Sequence, residues 1–325
     1  MKEIIVVAGA TGHVGRPLAE RLLAAGRAVR GVARDAEKLK PLAALGAEVR
    51  KGSLHDPVFL TEAFRGANAA FVLTALDVKA PEINIDQYKK AESIATATRA
   101  AGVNYVVFLS SWGTDVLEKT GGVLGCRRLE QLLDETPGLN VVHLRPVWFM
   151  ENFLWNIGLI KMAGINGLAI RPESPFSMIA SRDIAPIAAD YLVHLDFKGR
   201  NVRYLRGARD YTMTEVTRIL GAAIGKPELK YVEFPDAIFR KGVIASGGLS
   251  PHAADMAVEI NRGIDSGLIN AEPRSQSNTT PTTLEEFART TFAPAFKTAP
   301  DASFSEKFGG MFLRTYLTLT GRRAA

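Results

Sequence analysis

The sequence predicts an α/β protein: a doubly wound parallel-sheet domain joined to a smaller, mostly C-terminal α+β lobe. Three observations carry that expectation. Short apolar runs alternate with amphipathic stretches through the first half of the chain, the pattern of βαβ units with right-handed crossovers. The first run ends in a glycine-spaced turn, Gly9 to Gly15, that opens a helix. After Arg145 the alternation loosens, as it should where a second lobe begins.

Each element has its own warrant. Lys2–Ala8, apolar from Ile4 and ending in glycine, reads as a strand buried on both faces. Pro17–Ala25 follows as a helix with Leu18, Leu22 and Leu23 on one side and Gly26 beyond its end. Strands are then predicted at Ala28–Ala33, Glu48–Lys51, Ala69–Thr74, Tyr105–Ser110 and Asn140–Leu144. Between them fall helices at Ala36–Leu45, Pro57–Arg65, Ile83–Ala101 and Leu124–Leu133. Trp148–Ile160 is aromatic-rich and reads as a helix. Arg182–Leu195 reads as a helix capped by Ser181 with Asp183 in its first turn. A strand at Asn201–Leu205 and a helix at Thr214–Ile224, begun by Thr212 or Thr214, come next. From about Lys226 no βαβ rhythm is left, and a polar loop, Arg274–Thr283, leads to a helix at Thr283–Phe292. The expected division is residues 1–150, completed by parts of 180–225, and residues 151–325 as the second lobe with a C-terminal helical extension. In that extension, Phe304–Arg323 mixes Phe308, Met311, Phe312 and Tyr316 with basic residues, a mix that suits a membrane surface or burial, with packing on the body or on another subunit expected over the membrane.

Composition narrows the function classes. Of 325 residues, 47% are hydrophobic and 23% charged, ordinary for a soluble globular chain. The net charge of +6 is spread out with no Lys/Arg block, so nucleic acid is not an expected partner. The single cysteine, Cys126, excludes an intramolecular disulfide and fits a reducing compartment. No basic leader and no bilayer-length apolar run is present, so a cytoplasmic location and no membrane span are expected. The five histidines are scattered without metal-ligand spacing, and no metal is expected.

The first turn carries the functional argument. Gly9-Ala10-Thr11-Gly12-His13-Val14-Gly15 lies between a predicted strand and helix. In a Rossmann domain, glycines at these steps allow the tight turn, the approach of the pyrophosphate and close helix–strand packing. Amides at the start of the helix then face the phosphates. His13 either contacts the pyrophosphate or points to solvent. The second strand addresses the ribose. An NAD site usually ends this strand in Asp or Glu, whereas here Ala33 is followed by Arg34, with Lys38 a turn further on. A small residue and a guanidinium leave room and charge for a 2′-phosphate, so NADP(H) is expected over NAD(H). The competing reading gives the ribose to Asp35 and leaves Arg34 as a solvated surface residue.

With these residues in view the chain resembles the NmrA-like branch of the atypical short-chain dehydrogenases/reductases. The resemblance runs over roughly the first 290 residues. It rests on Val6 to Gly12, Val32-Ala33-Arg34-Asp35, Ala101-Gly102-Val103, Phe108-Leu109-Ser110-Ser111, Leu144-Arg145-Pro146, Phe149 to Phe153, Ser181 to Ala185 and Pro281 to Phe287. It implies that Arg34 binds the 2′-phosphate and that Ser53 and Leu54 lie beside the adenine, Ser53 replacing the family's usual aspartate. It further implies that Thr74, Ala75 and Leu76 line the phosphate and nicotinamide-ribose path. Ser110, Ser111, Trp112, Pro146, Val147 and Phe149, with Asn152, are implied around the nicotinamide and the substrate pocket. The aromatic residues among them equally suit core packing.

The chemistry departs from the larger superfamily, where a lysine lowers the pKa of a tyrosine four residues before it so that it can protonate a carbonyl oxygen. None of the seven tyrosines has lysine four residues later. Aligned on Glu130 and Leu133, the relay positions fall near Gly122 and at or near Cys126. No catalytic residue is therefore assigned. Two classes remain. One is a reductase delivering hydride to a small-molecule acceptor that needs no dedicated acid, such as a quinone or azo compound. The other is an NADP(H) sensor acting through a regulatory protein partner. A homo-oligomer fits either.

Overall fold

The computed structural model describes residues 3–303. In the first half β1 (Ile4–Ala8), α1 (Gly15–Ala24), β2 (Ala28–Ala33), α2 (Ala36–Ala44), β3 (Glu48–Lys51) and α3 (Pro57–Phe64) follow one another. Next come β4 (Ala67–Leu73), α4 (Ile83–Ala100), β5 (Tyr105–Leu109), α5 (Leu124–Asp134) and β6 (Asn140–Pro146). Then follow β7 (Trp148–Phe149), α6 (Ile157–Ala163), β8 (Ile165–Leu168), β9 (Phe176–Ile179), α7 (Ile184–His194), β10 (Arg200–Leu205) and β11 (Asp210–Tyr211). The rest comprises α8 (Met213–Ala223), β12 (Lys230–Glu233), α9 (Asp236–Ala245), α10 (Pro251–Asp265), α11 (Leu284–Phe287) and α12 (Ala293–Thr298).

The described residues divide into two compact units, one running to Pro146 and including Ser181–Leu205, the other made of Val147–Ala180 and the described residues from Arg206 onward. In the first, seven strands form a sheet in the order β10-β6-β5-β4-β1-β2-β3, every pair parallel. The order runs outward from β1 to β3, then resumes on the other side of β1 with β4. The strand order thus reverses between β1 and β4, the place where open α/β sheets leave a crevice at their carboxyl ends. Burial holds this sheet. Val6, Val72, Val106, Phe108 and Val141 pack with Ile94 of α4 and Leu129 and Leu133 of α5. Each such side chain contributes about 1.5–3 kcal/mol when fully buried.

The second unit contains a three-stranded sheet, β11-β9-β7, and a parallel pair, β12-β8. A buried amide chain threads it: Asn156 Nδ2 donates to Asn166 Oδ1 at 2.6 Å, and Asn166 Nδ2 donates to Thr217 Oγ1 at 2.8 Å. Thr212 caps α8 in a capping box with Glu215, one of the two caps the sequence offered. Thr283 caps α11.

Several local expectations are corrected. Trp148–Ile160 is not one helix: Trp148–Phe149 is a strand, Met150–Asn156 a 3-10 turn, and α6 begins at Ile157. The Trp148 ring packs on Phe153 and Phe176, with centroids 4.6 and 5.9 Å away, and such aromatic packing suits a strand. Ser181–Asp183 forms a 3-10 turn ahead of α7, which begins at Ile184 rather than Arg182 with Asp183 in the cap position. The helix expected at Thr283–Phe292 is divided by a π turn at Ala288–Phe292 and runs on to Thr298. Strands β8, β9 and β12 and helices α9 and α10 lie in stretches where no element was expected. No described helix is long and apolar enough to cross a membrane. The packing expected of Phe304–Arg323 lies outside the described residues.

Candidate cofactor site

The glycine turn follows β1 directly. Gly9 takes a φ of +66°, and a Cβ on it would lie 2.7 Å from Leu73 Cδ2 of β4, so both conformation and packing demand glycine. The Gly12 amide donates to the Gly9 carbonyl at 2.9 Å and closes the turn. A Cβ on Gly15 would run into the Gly9 carbonyl and come within 3.2 Å of Ala10 Cα. This is the close helix–strand approach read from the motif. Gly12 is exposed, and a Cβ there would meet only the Gly9 carbonyl oxygen, at 3.3 Å. Helix α1 begins at Gly15 rather than Pro17, which falls in the first turn, where proline has no hydrogen bond to lose. No side chain caps α1 and no acid lies in its first turn, so its N-terminal dipole is left uncompensated. Thr11 is half-buried, His13 exposed and Val14 buried.

At the end of β2, Arg34 and Lys38 are exposed, and neither side chain has a partner among the described residues. Asp35 is engaged: its Oδ1 accepts from the amides of Glu37 at 3.0 Å and Lys38 at 3.4 Å, capping α2. After β3, Ser53 Oγ accepts from the His55 amide at 3.2 Å and sits 3.3 Å from His55 Nδ1. Leu54 is partly buried against the core. After β4, Thr74 is buried with Oγ1 3.4 Å from Cys126 Sγ, the Ala75 carbonyl accepts from Lys90 Nζ at 2.7 Å, and Leu76 is exposed.

The loop after β5 is held from behind. Ser110 is buried and its hydroxyl donates to Glu130 Oε1 at 2.6 Å, so its proton points inward. Thr114 Oγ1 donates to the same oxygen at 3.2 Å and to the Ser111 carbonyl at 3.2 Å. Arg145 donates through Nε to Glu130 Oε1 at 2.9 Å and through Nη2 to Oε2 at 2.6 Å. Arg145 Nη1 reaches the Tyr204 hydroxyl at 3.1 Å. Burial lifts the Tyr204 phenol above its ordinary value despite the guanidinium beside it. It is thus the opposite of a lysine-activated tyrosine. Trp112 is buried, its amide donating to the Pro146 carbonyl at 3.1 Å.

The positions expected to correspond to the relay fall in and just after a 3-10 turn before α5. Gly122 lies in a 3-10 turn before α5, where a Cβ would face Leu76 Cδ1 at 3.2 Å and Gln87 Nε2 at 3.9 Å. Burial pushes the Cys126 thiol up to about 11, with Thr74 partly opposing, which keeps it protonated and unreactive at neutral pH.

In the first unit Gly9–Gly15, Arg34, Ser53 and Leu54, Thr74–Leu76 and Ser110–Trp112 follow the carboxyl ends of β1, β2, β3, β4 and β5, and Pro146 ends β6. Val147, Phe149 and Asn152 belong to the second unit, where Val147 is buried, Phe149 pairs with Ile179 in β9 and Asn152 lies in a 3-10 turn. Sequence reasoning missed Glu130 as the hub of the β5 loop and the Lys90 contact. Arg145, a cation at the end of an apolar strand, was the available signal for the first.

The NmrA-like family model matches residues 1–288. A (4-alkanoyl-5-oxo-2,5-dihydrofuran-3-yl)methyl phosphate reductase of Streptomyces griseus is 32% identical over 225 residues, covering 69% of this chain and 75% of that one. An NAD(P)H azoreductase of Xenophilus azovorans is 30% identical over 232 residues, 70% of this chain and 76% of that one. In fold, the chain is similar to an NADPH-dependent quinone oxidoreductase of Escherichia coli solved with NADPH, with a TM-score of 0.75, 24% identity and coverage of 89% and 99% of the two chains.

Proposed function

Because the chain belongs to the NmrA-like family, we propose that it is an NADPH-dependent reductase that passes hydride to a quinone- or azo-type small molecule without a Tyr–Lys relay. The observation that carries this reading is the Gly9–Gly15 turn, with its uncapped helix, at the point where the strand order reverses. That is a cradle which a dinucleotide pyrophosphate fits and side chains would fill. The two reductases similar in sequence support a small-molecule acceptor.

Bound NADPH would supply the hydride; the chain's own residues bind and orient it. His13, Val14 and Gly15 offer the amide edge, with Thr11 beside them, while the Gly12 amide closes the turn on the Gly9 carbonyl and its missing side chain leaves the approach open. Arg34 and Lys38 hold the 2′-phosphate, beside Asp35, whose Oδ1 caps α2. Ser53 and Leu54 border the adenine, and Thr74–Leu76 border the phosphates and ribose. The Ser110–Trp112 loop and Pro146 border the nicotinamide. Ser110 can accept a hydrogen bond there but not donate one, since its proton goes to Glu130.

Two experiments test this. Arg34→Ala should weaken NADPH binding about 10- to 100-fold, the worth of a charge-assisted contact, and leave NADH binding unchanged. Equal wild-type affinities for NADPH and NADH in isothermal titration would sink the NADP assignment. In an acceptor panel, NADPH oxidation is expected with at least one quinone or azo dye, whose reduced form takes its proton from water, and none with simple aldehydes, whose alkoxide needs a donor. Binding without turnover of any acceptor would point to a sensor, and brisk aldehyde reduction to an acid elsewhere in the site.

A further inference from the structure

Lys90 is 5% exposed on the second turn of α4. Burying an ammonium costs several kcal/mol unless its protons are matched. An Asp–Lys pair four residues apart stabilises an exposed helix only weakly, so the pair alone gives no reason for burial. The third group in the contact does. Lys90 Nζ donates to Asp86 Oδ2 at 2.6 Å and to the Ala75 carbonyl at 2.7 Å, the main-chain oxygen just past the end of β4. The other Asp86 oxygen, Oδ1, lies 2.7 Å from His55 Nε2. His55 in turn binds Ser53 through its amide and Nδ1. One chain of polar contacts therefore links the loop after β3 to the loop after β4 through the first two turns of α4. In the sheet these loops lie on opposite sides of β1 and its glycine turn. Leu73, three atoms of which crowd the Cβ position of Gly9, ends the strand that Lys90 pins.

We propose that Lys90, with Asp86 and His55, is a positioning residue for the dinucleotide: a buried brace that fixes the adenine-side and phosphate-side loops before the cofactor arrives. This rests on the NADPH reading above. A preformed brace removes the cost of ordering two loops on binding, so its loss should fall on cofactor affinity and spare the hydride step.

The test is NADPH fluorescence titration with steady-state kinetics on the full chain. Lys90→Met is expected to weaken NADPH binding about tenfold or more, the worth of hydrogen bonds to a charged group, while kcat and the acceptor KM change less than about threefold. Asp86→Asn should weaken binding too. The double variant should be no worse than Lys90→Met, because residues in one network do not add. A folded Lys90→Met protein whose NADPH Kd stays within about twofold of wild type, or whose kcat falls as far as its affinity, would overturn the brace. Should Lys90→Met fail to fold, His55→Gln at the exposed end decides: a weakened Kd supports the brace and an unchanged one overturns it. Wild-type protein that binds no NADPH would instead remove the cofactor reading beneath it.

Discussion

Gly12→Val is expected to fold with a near-wild-type melting temperature and to bind NADPH more weakly by on the order of 100-fold or more, the loss of at least two charge-assisted hydrogen bonds. The geometry separates the two outcomes. Gly12 is exposed and its Cβ direction meets only the Gly9 carbonyl oxygen at 3.3 Å, so the turn itself can keep its shape. A branched side chain would nevertheless stand where the pyrophosphate has to approach the amides. Gly15→Val makes the contrast, since its Cβ would collide with the Gly9 carbonyl and crowd Ala10 and damage the turn before any ligand is added. Thermal melts paired with fluorescence titration read both quantities. A folded Gly12→Val protein with unaltered affinity would place the phosphates somewhere other than this turn.

Glu130→Ala should cost the fold about 3–5 kcal/mol, the typical penalty for stripping one partner from a buried ion pair. The side chains of Glu130 and Arg145 are only 8% and 13% exposed, and truncation leaves the guanidinium facing Tyr204 with no carboxylate. The same change releases the Ser110 and Thr114 hydroxyls, so the loop after β5 loses its anchor as well. Glu130→Gln keeps one acceptor oxygen for those hydroxyls and should lose less. Differential scanning calorimetry should show the alanine variant melting roughly 10 °C or more below wild type, at about 2–4 °C per kcal/mol for domains of this size. A drop under about 2 °C would mean that solvent reaches Arg145 and the pair contributes little.

The parallel sheet was legible in local pattern, because most of its strands are apolar runs and its crossover helices are local periodicities. Strands β2 and β3 match their expected bounds residue for residue, and β1, β4, β5 and β6 differ only at their ends. The glycine turn was legible for the same reason, its demands lying within seven consecutive residues. Tertiary structure alone decided what pairs across long separations. Strand β12 exists because Lys230–Glu233 finds β8 some sixty residues earlier, and β7 and β9 likewise pair within a lobe that has no repeating rhythm. Ser110, expected beside the nicotinamide, turns its proton to Glu130 twenty residues on. Asp35, weighed as a ribose ligand on paper, also turns its Oδ1 to the cap of α2. Lys90 reads as one half of an ordinary helix-surface pair until β4 brings the Ala75 carbonyl to it. Local patterns state what a segment can bury. Which polar atom meets which is fixed only when the packed core sets the distances, since an unmatched buried charge or hydroxyl costs more than a propensity contributes.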